Sequence, residues 1–149
     1  MTQQEKCRSA ALRLLTSSDR SESELRERLA RKGFTGESVE DTVSFLKEYG
    51  YLDDARYALH YLRYYKTSKS ARRIRYDLAA KGISKDLIEQ AFAEEPFDET
   101  ELVVKIIEKR LGGDGGEDRK NIERCKAYLY RQGFDTSDIR AALERCGLT

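Results

Sequence analysis

The chain has 149 residues, 28 of them Lys or Arg and 27 Asp or Glu, so 37% is charged and only 39% apolar. That length suits one domain, but the apolar material is too thin for one large core, and a row of small cores is expected. No run approaches the about 18 apolar residues of a membrane span, MTQQEKCRSAALRLL lacks a signal-peptide core, and Cys7, Cys125 and Cys146 are odd in number without C-x-x-C spacing; these features argue against a membrane protein, a disulfide scaffold and a zinc site, and point to the reducing cytoplasm.

Pro96 is the sole proline, and charged residues alternate with Leu, Ala and Ile at three- and four-residue steps, so the pattern is helical almost throughout. A first helix is predicted over roughly residues 4–17. Ser21-Glu-Ser-Glu24 is a capping box that opens a second helix, with Leu25 and Leu29 on one stripe and Gly33 ending it. Phe34 folds back as an apolar plug, Thr35 can cap the third helix, and Val39 and Val43 form its buried stripe. After Gly50-Tyr51-Leu52, Asp53 is read as the first residue of a fourth helix running to about residue 66, with Asp54 as a first-turn acid. The fifth helix carries Ile74 and Leu78 and ends at Gly82; Ile83 is its plug, and Ser84 caps a sixth with Ile88 and Phe92. Asp98 and Glu101 repeat the capping logic after Pro96 and open a seventh helix over about 98–111. Gly112-Gly113-Asp114-Gly115-Gly116 reads as a flexible linker, since it lacks the Gly-Lys-Ser/Thr of a phosphate loop. The eighth helix carries Cys125 and Leu129 and ends at Gly133, Phe134 is its plug, and Thr136 or Ser137 can cap a ninth with Ile139 and Leu143.

These elements repeat. Leu25-x-x-x-Leu29-x-x-x-Gly33-Phe34 aligns with Ile74-x-x-x-Leu78-x-x-x-Gly82-Ile83 and Cys125-x-x-x-Leu129-x-x-x-Gly133-Phe134, the glycines lying 49 and 51 residues apart. The expected fold is all-α: about nine helices in three tandem three-helix repeats, residues 1–52, 53–97 and 98–149, leaning on one another in an elongated array. Such an array needs no second copy to complete a core, and a monomer is expected.

The even overall charge conceals an asymmetry. Residues 1–52 hold 9 basic and 9 acidic side chains, residues 53–85 hold 9 against 3, and residues 86–149 hold 10 against 15. A polyanion would therefore bind the middle repeat, next to an acidic third.

Ser21-x-x-Glu24-Leu25-x-x-x-Leu29-x-x-Lys32-Gly33-Phe34, Gly50-Tyr51-Leu52-Asp53-Asp54-x-x-Tyr57-Ala58 and Arg73-Ile74-x-x-x-Leu78-x-x-Lys81-Gly82-Ile83 together resemble the bacterial RecX regulatory proteins, and Tyr128-Leu129-Tyr130-Arg131-Gln132-Gly133-Phe134 sits where that family has a third repeat. The stretch Lys66-Thr-Ser-Lys-Ser-Ala-Arg72 departs from the family, many members of which carry a glycine before the Arg-Ile pair. The resemblance implies three three-helix repeats that bind in the groove of the RecA filament on single-stranded DNA. It further implies interference with ATP hydrolysis, strand exchange and coprotease activity by a regulator that is not an enzyme.

On the fourth helix, Ala55, Ala58, Leu59 and Leu62 share a core face, while Tyr57, Tyr61 and Tyr64 fall on a second, with Arg56, His60 and Arg63 between. The tyrosines either pack against a neighbouring repeat or anchor a partner or nucleobase. The fifth helix turns Ala71, Ile74 and Leu78 inward, leaving Lys69, Arg72, Arg73, Arg75 and Tyr76 outside, with Lys66 nearby. Arginine suits phosphate because its planar fork donates two bonds at once, and this repeat is the candidate contact with the filament or its DNA.

Catalytic, metal and cofactor readings lack residues. His60 is the only histidine, and a helix cap with a first-turn acid accounts for Asp53 and Asp54. Two further functions stay open beside filament regulation: a direct nucleic-acid-binding protein acting without RecA, and a helical adaptor for another acidic protein.

Overall fold

The computed structural model describes residues 1–112, 116 and 118–148; Gly113, Asp114 and Gly115 of the expected linker lie outside the described residues. Among these residues the chain is all-α, with nine helices and no strand: α1 (Gln3–Ser17), α2 (Glu22–Arg31), α3 (Glu37–Glu48), α4 (Asp54–Tyr65), α5 (Ala71–Ala80), α6 (Lys85–Glu94), α7 (Glu99–Leu111), α8 (Arg119–Arg131) and α9 (Thr136–Arg145). They form two compact units, residues 1–61 with 77–94 and residues 62–76 with 95–149.

In the first unit, Cys7, Ala10 and Ala11 of α1 meet Leu25 and Leu29 of α2, Val43 and Leu46 of α3, and Leu52. In the second, Leu102, Val103 and Ile107 of α7 meet Cys125 and Leu129 of α8, Phe134, and Ile139 and Leu143 of α9. The repeat positions Leu25/Leu29, Ile74/Leu78 and Cys125/Leu129 are all buried, so cysteine behaves here as a small apolar residue. Ile83 and Phe134 are also buried plugs, whereas Phe34 is half-buried.

Several caps follow the local chemistry. Ser21 and Glu24 close both bonds of the capping box, the Asp98 side chain accepts from the Glu101 N–H at 3.1 Å, and Ser84 accepts from the Leu87 N–H at 3.3 Å. Of the two readings of Asp53, cap and first helical residue, the cap holds: it precedes α4 and accepts the Arg56 N–H at 3.1 Å. Two expected caps are wrong. Gly36, at φ 58°, takes the position expected for Thr35, because the chain enters α3 through a conformation that threonine disfavours. At the last helix the cap position is Asp135, and Thr136 and Ser137 are already helical; the Thr136 hydroxyl instead accepts from Tyr130 at 3.1 Å.

Within each unit a serine joins one repeat to the next. The buried Ser21 hydroxyl accepts the Glu24 N–H at 3.2 Å and donates to the Lys81 carbonyl at 2.6 Å. Ser70, 1% exposed, accepts the Arg73 N–H at 3.1 Å and donates to the Gln132 carbonyl at 2.7 Å. Each acceptor carbonyl immediately precedes the glycine that ends the next repeat's middle helix. A Cβ at Gly82 would lie 2.3 Å from the Cβ of Ser23, and one at Gly133 would lie 3.0 Å from Ser70 Oγ, so the close approach needs glycine as much as the positive φ does. One residue on, the Glu22 N–H donates to Asp54 Oδ1 at 2.8 Å and the Ala71 N–H to Glu99 Oε1 at 3.1 Å. Side chains thus satisfy orphan backbone groups across repeats: the serine at one helix start donates to a carbonyl at another helix end, and a carboxylate of the next repeat accepts the N–H beside that serine.

Ser21→Ala or Ser70→Ala removes a cap and takes the serine donor from the Lys81 or Gln132 carbonyl. Each loss contributes about 1 kcal/mol or more, so urea unfolding of either variant should show stability lowered by about 2 kcal/mol.

Candidate functional site on the middle repeat

The inward face of α4 is partly as expected: Ala58 and Leu62 are buried, while Ala55 and Leu59 are half-exposed and line a shallow cleft with Arg56, Leu87 and Ala91. The tyrosines do not act as one surface. Tyr57 and Tyr61 are half-buried and stacked, with ring centroids 6.3 Å apart. The Tyr61 hydroxyl donates to Asp77 at 2.7 Å, and the Lys81 ammonium stands 5.9 Å from its ring centre. Burial, reinforced by the nearby carboxylates of Glu24 and Asp19, pushes the Tyr57 hydroxyl well above the ordinary phenol range. Tyr57 therefore faces acids of the first repeat, and packing accounts for it. Tyr64, by contrast, is 75% exposed, edge-on to Tyr65 at 4.8 Å, and the Lys69 ammonium lies 3.9 Å from the Tyr65 ring centre.

The cations also divide. Arg56 donates to the Gly50 carbonyl at 2.9 Å. Lys66 and Arg63 clamp Glu95 at 2.7 and 2.8 Å and hold its carboxyl below the usual range. On α5, Ile74 and Leu78 point inward, and Arg72, Arg73 and Tyr76 are exposed, with Lys69 and Arg75 at the margin. The Arg73 guanidinium is 5.9 Å from the ring centre of Tyr76, which is 66% exposed. A face that mixes arginine with an exposed aromatic suits either a phosphate backbone or a protein anchor. Of the family-motif residues, Leu52 is buried, Gly33 and Gly50 adopt positive φ, and Tyr51 is exposed.

Beside this face, Ala71, Arg72, Arg75, Glu99, Gly133 and Asp135 line a cleft of about 290 Å³. Burial raises the Glu99 carboxyl to about 7 against the help of the Ala71 N–H, and Asp138 and Asp135 push it the same way. The three carboxylates offer oxygens within 4.8 Å of one another, but Glu99 already accepts from Ala71, and Asp138 accepts from Thr100 Oγ1 at 2.9 Å. Sequence reasoning missed both Glu99 and Ser70. Ser70 has Arg73 rather than an acid three residues on, so no capping box announced it, and nothing local marks Glu99 as the acceptor for another helix.

Among the described residues no helix is long and apolar enough to cross a membrane. Residues 7–46, 53–91 and 98–143 match, in turn, the first, second and third three-helix domains of RecX. The chain is 36% identical over 138 residues to the regulatory protein RecX of Vibrio vulnificus, covering 92% of this chain and 90% of that protein. It is 38% identical over 136 residues to that of Vibrio parahaemolyticus, covering 90% and 87%. Its fold is similar to the crystal structure of RecX from Lactobacillus salivarius, with a TM-score of 0.86 at 22% identity, covering 99% and 98% of the two chains.

Because folding raises the Glu99 pKa, the folded state binds its proton more tightly than the unfolded chain. Its favourable contribution is complete below about pH 4.5 and is lost as pH rises through about 7. Glu99→Gln keeps an acceptor for Ala71 and removes the titration. Thermal melts should show the variant more stable than its parent at pH 8, by about 1 kcal/mol after solvent screening, with the gap closing by pH 5.

Proposed function

The chain belongs to the RecX family of regulatory proteins, and on that premise we propose that it binds the RecA filament on single-stranded DNA and lowers its ATPase, strand-exchange and coprotease activities, as a cytoplasmic regulator that is not an enzyme. The observation that carries the contact assignment is the outer face of α5, where Arg72, Arg73 and Tyr76 are exposed together. Lys69, Arg75 and Tyr64 extend the chemistry around it, whereas Tyr57, Tyr61, Arg56, Arg63 and Lys66 are engaged with internal partners. An exposed tyrosine among arginines supplies an apolar anchor as well as charge, which a protein partner uses and a bare phosphate backbone does not need.

The rival reading is direct nucleic-acid binding without RecA, favoured by the same arginines. Salt separates the two, since phosphate contacts alone weaken steeply with salt and protein contacts do not.

ATP hydrolysis by RecA on single-stranded DNA should fall on addition of less than one copy of this protein per RecA. Charge reversal of Arg72, Arg73 and Arg75 together should raise the concentration for half-inhibition at least about tenfold, the scale of a few lost charge-assisted contacts, with the thermal melt unchanged. Full inhibition by that variant would remove the α5 face from the reading. An unmodified protein that leaves hydrolysis untouched yet binds labelled DNA tightly in low salt would favour the rival.

A further inference from the structure

The third repeat is acidic in sum, yet its middle helix is not. α8 carries five basic residues, Arg119, Lys120, Arg124, Lys126 and Arg131, against the single acid Glu123, and Glu123 is already paired with Lys126 at 3.3 Å. At about 100° per residue, Lys120, Arg124 and Arg131 lie within one narrow sector, opposite the side that buries Cys125 and Leu129. All three are exposed and, among the described residues, make no ion pair or hydrogen bond through their side chains. The ridge spans about 16 Å of helix, the reach of several consecutive phosphates.

The repeat alignment sharpens this. Lys120, Arg124 and Lys126 align with Lys69, just before α5, and with Arg73 and Arg75 on it, so the same three positions are cationic in both repeats. In the first repeat those positions are Arg20, Glu24 and Arg26. Arg20 is turned to the Leu14 carbonyl, Glu24 closes the capping box, and Arg26 is held by Glu22 and Glu40. One difference separates the α5 and α8 faces. The position of the exposed Tyr76 is taken on α8 by Ala127, and the exposed Tyr130 lies about 80° or more around the helix from Lys120, Arg124 and Arg131, so the ridge itself is charge with no large side chain among its cations.

We infer that the Lys120, Arg124 and Arg131 ridge of α8 is a second binding face, one that holds the phosphate backbone of single-stranded nucleic acid. This extends the reading of the α5 face to a second helix, in the compact unit that holds Arg72, Arg73 and Tyr76, and the two assignments fail separately. The division of labour follows from the chemistry: α5 combines charge with an aromatic anchor, and α8 tracks phosphates irrespective of sequence.

The test is fluorescence anisotropy of labelled oligo-dT with the full-length chain, without RecA, across a salt series. The parent is compared with a Lys120→Glu, Arg124→Glu, Arg131→Glu variant and with an Arg72→Glu, Arg73→Glu variant, each checked by thermal melt. Losing three phosphate contacts at about 0.7 each should flatten the log–log salt slope of the α8 variant by about 2 and weaken binding at low salt by at least about tenfold. An α8 variant with unchanged affinity and slope overturns the inference, and if the α5 variant alone is weakened the middle-repeat reading survives. Failure of the parent to bind oligo-dT overturns it as well. So does displacement of the oligonucleotide by poly-glutamate at equal charge, which would mark the ridge as a site for acidic protein.

Discussion

No helix can end inside a protein without partners for its last carbonyls and first N–H groups, and with nine short helices among the described residues that requirement governs how the repeats meet. The solution is a buried serine whose oxygen caps its own helix while its proton goes to the carbonyl ending another, at Ser21 with Lys81 and at Ser70 with Gln132. The glycines next to those carbonyls let the backbones close to contact, and Asp54 and Glu99 take the neighbouring N–H groups. Small cores of the kind built by Leu25, Leu29 and Val43, or by Ile107, Leu129 and Ile139, are marginal alone. Directional polar bonds between repeats add the specificity that such limited apolar burial lacks.

The same demand shapes the electrostatics. Asp54 and Glu99 are raised because serving as acceptors for another helix removes them from water. Cations near the joints are drawn into service: Arg63 and Lys66 hold Glu95, and Arg26 holds Glu22 and Glu40. The charges available to a partner are those left over, which is why a tally by segment misleads. The middle repeat counts nine basic residues but commits several internally, whereas the acidic third repeat presents an uncommitted basic ridge on α8.

Much of the candidate site is legible in the sequence, and some is not. Arg72, Arg73 and Tyr76 were placed outside by helical period alone, since the opposite side of the helix had to bury Ile74 and Leu78. Tyr57 and Tyr64 share a helix and a period, and nothing local distinguishes them. Burial against its surroundings, with the Tyr61 ring stacked on it and acids of the first repeat nearby, turns Tyr57 from a ligand candidate into a packed residue.

By itself the sequence determined the helices, their glycine stops, the three-fold repeat and the family, because these depend on side chains within a few residues of one another along the chain. The serine joints, the displaced caps at Gly36 and Asp135, the unusual Glu99 and the set of cations still open to a partner were decided by the tertiary structure. Each depends on a group brought from dozens of residues away or on a backbone conformation set by packing, and a local pattern carries no record of either.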